Sequence, residues 1–320
     1  MTRIIVYIYL VISSLTFYSC KFDEIKSVST TGQVSIVVDE NVEPLMKDEI
    51  KEFERLNPEA KIDLKSVPTN NAIVDLINGD TKLIVISRSF TEEEKASLVK
   101  NKLEVKEYPL AVDGIGFIVN IKNPVLRITS EDLKKIFSGE YKYWTDIKSP
   151  NEDQDADAKK YFTGAKNNIK VYIQRKNSST NKYFQDSILK ESQYFSSAIV
   201  CSTSVQMLNA VRENDNAIGI LNMNWLSKGA QDTIDTTVRA LRVSKIWDNG
   251  RQDDYVEFHQ GNIYKAIYPY RRTIYIFTTD VGIKLSTGFI TFLVKTDGQK
   301  IVLKNSLVPV KQPVRTIEIN

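Results

Sequence analysis

Histidine is nearly missing from this 320-residue chain, and its scarcity excludes several kinds of site. With His259 as the single histidine, neither a zinc site built from several histidines nor a Cys/His zinc finger can form. A Ser-His-Asp triad would have to use His259, which we interpret as a surface residue because it stands in a polar stretch with Glu257 and Gln260. The chain also has no G-x-S-x-G nucleophile elbow. We therefore predict a protein that is not an enzyme and uses no cofactor.

Cysteine and excess charge are also scarce. The two cysteines are Cys20 and Cys201, and if Cys20 carries a lipid, no intramolecular disulfide can form. The formal net charge is +3, with lysines and acidic residues interspersed along the chain. A nucleic-acid-binding domain usually carries a strongly basic surface. We therefore predict no nucleic-acid partner.

Long apolar runs are missing except at the N-terminus. There Arg3 precedes an apolar run over residues 4–17, and small Ser19 and then Cys20 follow, which is the order of a secretory signal. The run is shorter than the ~20 residues that a membrane-spanning helix needs. Cys20 resembles the acylated cysteine of bacterial lipoproteins. We predict a signal peptide over 1–19, a lipid-anchored tether over 20–31 as the only membrane contact, and a periplasmic or cell-surface location; a plain cleaved signal is the alternative.

Two hydrophobic periods alternate along the first third of the chain. Residues 34–38 form a β-branched run typical of a buried strand. Over 42–56, apolar residues recur at spacings of three and four, as on a helix that lies against a sheet. A strand around 62–66, a short helix at 72–77 and a strand at 83–86 follow. This βαβαβ order predicts a parallel sheet with right-handed crossovers.

A long extended run separates this part from a second set of elements. Residues 107–120 contain Gly114 and Gly116, and glycine inside a strand marks bending or close backbone approach. We expect the chain to cross between two lobes there. The very polar stretch 149–160 is interpreted as a solvated loop, and the apolar pattern over 288–302 predicts one final amphipathic helix.

The second set again alternates helices and strands. Thr129 is a predicted helix cap, and a strand is predicted over 169–173. A helix over 181–189, a further helix around 205–211 and a strand over 217–221 follow. The sequence therefore predicts a second α/β lobe.

Several sequence blocks, taken in order, resemble one known family. Residues 111–124 read AVDGIGFIVNIKNP and residues 129–147 read TSEDLKKIFSGEYKYWTDI. Further blocks lie at 83–94 (LIVISRSFTEEE), 217–226 (AIGILNMNWL), 268–278 (YPYRRTIYIFT) and 288–310. Together they resemble the PstS-type phosphate-binding proteins of ABC transporters over nearly the whole mature chain.

The resemblance implies a fold, a function and partners. The implied fold is the two-lobed α/β type II periplasmic-binding-protein fold, in which each lobe is a mostly parallel sheet flanked by helices and two extended hinge crossings join the lobes. We place lobe 1 at 32–112 and 245–320, and lobe 2 at 113–244. The implied function is capture of phosphate or a similar oxyanion in the interlobe cleft for an ABC importer, with permease subunits as partners; we expect a monomer. The alternative is a non-transport sensor or assembly protein of the same fold with a degenerate or altered site.

The resemblance also points to ligand-binding residues in the second lobe. The family carries an Arg-x-x-x-Ser-Gly-Thr stretch there, and Ser178 and Thr180 match its Ser and Thr. Ser179 replaces the glycine, and Arg175 lies one place later than the family's arginine. Asp113, in the block at 111–124, joins this predicted set. The alternative for the Ser-Ser-Thr run is a simple helix N-cap.

The first lobe departs further from the family pattern. Asp39, Glu40 and Asn41 stand where the family has a Gly/Ser/Thr-rich turn, and two carboxylates there would repel an anion unless one accepts the proton of monohydrogen phosphate. We predict Asp39 and Asn41 as ligand-binding residues. Ser87 and Arg88 are further candidate donors, since a guanidinium suits tetrahedral oxyanions; the alternative for Arg88 is a surface ion pair.

Overall fold

The computed structural model describes residues 28–148, 152–229 and 233–311. The predicted signal peptide (1–19), Cys20 and most of the predicted tether lie outside these residues. The strands are Gly32–Asp39 (β1), Ala60–Val67 (β2), Leu83–Ile86 (β3), Lys106–Asn120 (β4), Arg127–Thr129 (β5), Lys170–Gln174 (β6), Ile199–Cys201 (β7), Ala217–Asn222 (β8), Val238–Ala240 (β9), Arg242–Ser244 (β10), Arg271–Thr278 (β11) and Val308–Pro309 (β12). The α-helices are Glu43–Leu56 (α1), Thr69–Asn78 (α2), Glu92–Lys100 (α3), Ser130–Ser138 (α4), Glu152–Tyr161 (α5), Ser179–Phe184 (α6), Ser204–Glu213 (α7), Met223–Leu226 (α8), Gln260–Tyr264 (α9), Leu285–Val294 (α10) and Thr296–Lys304 (α11).

The first three strands form the parallel sheet that the sequence predicts. β2 and β3 flank β1, both parallel to it, and the pairing of Val38 with Val85 brings the carboxyl ends of β1 and β3 to the same edge. α1 buries Leu45, Ile50 and Phe53 in the core beneath this sheet. The βαβαβ prediction is confirmed.

Strand β4 belongs to both halves of the structure. Its first part pairs with β11 and β12, and its second part pairs with β8 and β9, all antiparallel. A Cβ on Gly114 would lie 2.5 Å from the Cδ1 atom of Ile263, and one on Gly116 would collide with the ring of Phe258. The glycines therefore allow a close approach, as predicted for this crossing.

The second half builds its own layer on the far part of β4. β6 runs parallel to β8 on one side and to β7 on the other. Phe184 of α6 packs in the core against Phe117 of β4 and Phe137 of α4. The last residue of the short helix α6 thereby holds it against the crossing strand, and the first residues of α6 belong to the site described below.

Two sequence-based expectations about local structure are wrong. The stretch 149–160 is not a loop throughout, because α5 occupies Glu152–Tyr161. Gln154 holds this polar helix: its side chain is buried and accepts hydrogen bonds from the backbone N–H groups of Leu126 and Arg127, a tertiary contact that composition does not reveal. The final helix is two helices, α10 and α11, because Lys295 takes an extended conformation between them.

Two further observations concern His259 and the lengths of the helices. His259 is exposed, as predicted, and its Nδ1 atom accepts a hydrogen bond from the N–H of Gly261 at the start of α9. Across the three described ranges, no helix is both long and apolar enough to cross a membrane.

Candidate functional site

Polar side chains from distant parts of the chain meet beyond the carboxyl end of β1. Asp39 is the last residue of this strand and is fully buried. Thr69 begins α2, which follows β2, and Ser179 begins α6, which follows β6. β1 and β2 are parallel, so the turns that follow them lie at one edge of their sheet, where ligands of open α/β sheets bind. β6 belongs to the other half and is not parallel to them, and the hydrogen bond from Ser179 to Asp39 shows that the helix after β6 begins at the same place.

Both oxygens of the Asp39 carboxylate are held by hydrogen bonds. Oδ1 accepts from the backbone N–H of Asn41 at 3.1 Å and from its Nδ2 atom at 2.9 Å. Oδ2 accepts from the hydroxyl of Thr69 at 2.8 Å and from that of Ser179 at 2.6 Å. We call Asn41, Thr69 and Ser179 the cradle. Its donors surround one pair of negatively charged oxygens, and hydrogen bonds to a charged group are among the stronger ones in proteins.

Arg272 of β11 lies directly behind the cradle. Its Nη1 atom donates to Ser179 Oγ at 3.0 Å, which leaves the Ser179 proton directed at Asp39. The same guanidinium pairs with Asp113, with Nη2 3.2 Å from Oδ2. Both side chains are buried, and they face each other in the register of β11 and β4.

Asp113 completes this arrangement from the crossing strand. Its other oxygen accepts from the backbone N–H of Met223 at 3.2 Å. Complete burial raises the pKa of Asp113 above its ordinary value, although the charge of Arg272 and the hydrogen bonds act in the opposite direction. Asp113 is therefore linked to the cradle indirectly, because Arg272 contacts both Asp113 and Ser179.

The side chain of Asn41 links the two halves of the site. Its Oδ1 atom accepts from the hydroxyl of Thr180 at 3.0 Å, and its backbone carbonyl accepts from Nδ2 of Asn222 at 2.8 Å. Thr180 and Asn222 are both fully buried. The turn after β1 is thus held by residues that lie more than a hundred positions later in the chain.

Glu40 makes a second carboxylate contact beside the first. It accepts hydrogen bonds from the backbone N–H of Ser204 at 2.7 Å and from the Ser204 hydroxyl at 3.0 Å, at the start of α7. Burial raises the pKa of Glu40 to about 7, and the nearby charges of Asp39 and Glu43 act in the same direction while the Ser204 hydrogen bonds oppose it.

Three predicted residues, Ser178, Arg88 and Arg175, are not part of the cradle. Ser178 caps α6 and accepts a hydrogen bond from the N–H of Asn181, which is its N-cap alternative. Arg88 forms a bidentate ion pair with Glu94, which corresponds to the ion pair given above as the alternative to ligand binding. Arg175 is half-buried.

Ser87 is placed differently from these three. It follows β3, next to the carboxyl end of β1, and is buried. Within the described part of the chain its hydroxyl has no hydrogen-bond partner. A buried polar group without a partner is unusual, so the Ser87 hydroxyl stays a candidate donor.

Sequence reasoning missed three residues of the site, namely Thr69, Arg272 and Asn222. Arg272 lies inside the block at 268–278, but its role needs the pairing of β11 with β4, which the sequence does not show. Thr69 follows Pro68, a pair typical of a helix start, three residues before the predicted start of α2. Asn222 ends β8 without any local signal.

The chemistry of this arrangement suits an oxyanion. The cradle offers two hydroxyls and two amide groups, while the charge of Arg272 is balanced by Asp113. Such a site holds negatively charged oxygen through oriented hydrogen bonds rather than through a free positive charge. Among the residues that the structure describes, no group of three or more His, Cys, Asp or Glu side chains is placed to bind a metal ion.

Comparisons with known proteins agree with one another. A domain model described as the PBP superfamily domain matches residues 26–297. The phosphate-binding protein PstS of Borreliella burgdorferi is 25% identical over 313 residues, which is 97% of this chain and 100% of that protein. The protein of the same name from Pseudomonas aeruginosa is 22% identical over 296 residues, which is 90% of this chain and 86% of that protein.

Solved structures show the same architecture. A Clostridium perfringens protein with bound phosphate, described as a phosphate ABC transporter substrate-binding protein, superposes with a TM-score of 0.70 at 24% identity, covering 88% of this chain and 100% of its own. An ABC-type phosphate transport receptor from Vibrio cholerae gives a TM-score of 0.62 at 20% identity, covering 87% and 100%.

Proposed function

The chain belongs to the PBP superfamily, and we propose that it is a binding protein that captures phosphate or a similar oxyanion for an ABC importer. The predicted two-lobed α/β type II periplasmic-binding-protein fold is confirmed by the solved structures that share it. The names of its relatives, which are phosphate-binding proteins, support the ligand. In this proposal the predicted lobes, 32–112 with 245–320 and 113–244, are the two sides of the cleft.

One observation carries the ligand proposal, namely the set of donors around the Asp39 carboxylate. Thr69 Oγ1 and Ser179 Oγ both point at one negatively charged oxygen, at 2.8 and 2.6 Å. Groups that hold a carboxylate oxygen in this way can hold a phosphate oxygen as well, since both are anionic acceptors of similar hydrogen-bond geometry. Ser87 supplies a further buried hydroxyl for the same ligand.

The proposed role includes export and anchoring. The protein would be secreted through its signal over 1–19 and attached to the membrane through a lipid on Cys20, as a monomer that docks on permease subunits. Mass spectrometry of the protein from its native membrane tests the anchor: a diacylglyceryl mass on a fragment that begins at Cys20 is the expected result, and an unmodified Cys20 contradicts it.

Calorimetric titration of the mature protein tests the ligand. We expect saturable heat with phosphate, and we expect Ser179→Ala to weaken binding about tenfold or more because it removes a hydrogen bond to a charged oxygen. Ser202→Ala is the matched control, since Ser202 is exposed. If millimolar phosphate produces neither heat nor a thermal shift in the wild-type protein, the proposed ligand is wrong.

A second candidate function is a sensor or assembly protein of the same fold with an altered site. It is favoured by the position of Asp39, because a side chain of the protein itself takes the donors of the cradle. Genes for permease and ATPase subunits beside this gene would favour transport. A wild-type protein that binds no phosphate and has no such neighbours would favour the second candidate.

A further inference from the structure

We propose that Asp39 is an internal ligand of the cradle, whose carboxylate competes with an external oxyanion and draws the two halves of the site together. The inference rests on the proposed function and adds a competitor that is built into the chain. It assigns Asp39 a role opposite to that of a residue that contacts the bound ligand.

Competition follows from the number of protons that the cradle can donate. The hydroxyls of Thr69 and Ser179 each carry one proton, and both protons are given to Oδ2 of Asp39. Oδ1 takes the N–H and one Nδ2 proton of Asn41. An external oxyanion can use these hydroxyls only after Asp39 has released them, so the two ligands exclude each other.

Charge also opposes simultaneous occupancy. The guanidinium near the cradle belongs to Arg272, and Asp113 already pairs with it. A phosphate placed against Asp39 would bring like charges together in a buried site, where they repel more strongly than in water. Displacement of Asp39 removes this repulsion and leaves its donors to the incoming anion.

The internal ligand also bridges the two halves of the site. Asp39, Thr69 and Asn41 come from the first part of the chain, whereas Ser179 begins a helix of the second part. A backbone hydrogen bond from Asn70 to the carbonyl of Asn177, 3.2 Å long, joins the same two parts. When the halves separate, Asp39 loses Ser179 but keeps Thr69 and Asn41, so the competitor stays next to the cradle.

Phosphate titration of Asp39→Ala and Asp39→Asn tests this role. We expect both variants to bind inorganic phosphate more tightly than the wild type, Asp39→Ala by about tenfold or more. The apparent affinity of the wild type is its intrinsic affinity multiplied by the fraction of molecules whose cradle is free of Asp39. We also expect phosphate-free Asp39→Ala to be more extended than the wild type in small-angle X-ray scattering, and to become compact when phosphate is added. Asp80→Ala, at an exposed aspartate, is the matched control.

The outcomes separate this inference from the proposed function. If the wild type binds phosphate and either Asp39 variant binds it more weakly or equally, Asp39 contacts or ignores the ligand and the inference is wrong while the proposed function stands. If neither the wild type nor the variants bind phosphate, the proposed function and this inference are both wrong. Asp39→Asn keeps the shape of the side chain, so it decides the question if Asp39→Ala does not fold.

Discussion

Two acidic side chains ten positions apart, Asp39 and Glu49, are both completely buried, yet their surroundings differ entirely. Asp39 ends β1 and receives four hydrogen bonds from the cradle. Glu49 lies on the buried face of α1, and within the described residues neither of its oxygens has a hydrogen-bond partner. Burial raises the pKa of Glu49 well above its ordinary value of 4.5, with a smaller contribution from Asp48.

The difference is that Asp39 is held by hydrogen bonds, whereas Glu49 is buried without a hydrogen-bond partner in the described part of the chain. Donors collect around Asp39 because the ends of β1, β2 and β6 deliver their turns to one place. No such convergence occurs along the buried face of α1, where burial raises the pKa of Glu49. Burial of an acid is therefore no sign of function by itself; the sign is a set of oriented donors from several parts of the chain.

The largest expected effect comes from removing the charged partner of Asp113, which makes Asp113, like Glu49, a buried acid without an ion pair. Arg272→Ala leaves the buried Asp113 carboxylate without its charged partner, and we expect the free energy of unfolding to fall by about 3–5 kcal/mol, as when one member of a buried pair is removed. Urea denaturation measures this loss.

The control for this prediction removes both charges together. Asp113→Asn combined with Arg272→Met abolishes the unpaired charge, so we expect the double variant to recover much of the lost stability. Phosphate affinity should stay low in both, because Ser179 has lost the group behind it. Equal stabilities of the single and double variants would contradict this view of the pair.

Neutralising Glu49 tests the other side of the comparison. Its raised pKa means that its contribution to stability is fully present below about pH 4.5 and is lost as the pH rises toward that pKa. Glu49→Gln removes this loss, so we expect it to stabilise the protein at pH 7 and hardly at all at pH 4.5. Thermal unfolding across this range, with the exposed Glu104→Gln as control, measures the effect. A difference that does not change with pH would show that Glu49 is ionised in the folded protein.

The sequence predicts the fold well where local pattern and tertiary structure agree. The residues on the buried side of α1, including Glu49, recur with a helical period that predicts this helix. Gly114 and Gly116 mark the extended run that predicts the crossing strand. The pattern fails at α5, whose side chains are mostly polar and whose anchor is the contact of Gln154 with residues 126–127. It also fails at Lys295, where nothing in a continuous apolar pattern marks the break between two helices.

The site is predicted only in part, for a related reason. Asp39, Ser179 and Thr180 could be picked out because each lies at the end of a strand or in the first turn of a helix. Arg272 could not, because its function depends on the register that sets it opposite Asp113 across two antiparallel strands. The sequence leaves open whether Asp39 repels an anion or accepts its proton, and it does not reveal that the cradle donors hold the carboxylate of Asp39.

Glu40 is intermediate between Asp39 and Glu49 in its number of hydrogen bonds. It accepts two, whereas Asp39 accepts four and Glu49 accepts none from the described residues. Its pKa of about 7 means that its stabilising contribution is complete below about pH 4.5 and disappears as the pH rises to 7. We expect the stability of the wild type, relative to that of Glu40→Gln, to fall by about 2–3 kcal/mol over this interval and to be constant above pH 8. Chemical denaturation at a series of pH values measures it, and a flat difference would remove Glu40 from the comparison.

The smallest effect expected concerns the donors of Glu40 themselves. Ser204→Ala removes the hydroxyl that lies 3.0 Å from Glu40 but keeps the backbone N–H at 2.7 Å, so one donor remains where there were two. We expect stability at pH 7 to fall by about 1 kcal/mol, with Ser202→Ala unchanged. The pH at which the Glu40 contribution is lost should move upward, toward the behaviour of Glu49, because hydrogen bonds from Ser204 lower the pKa that burial raises. If this midpoint stays where it is, burial alone sets the protonation of Glu40, and the number of donors is not what distinguishes these acids.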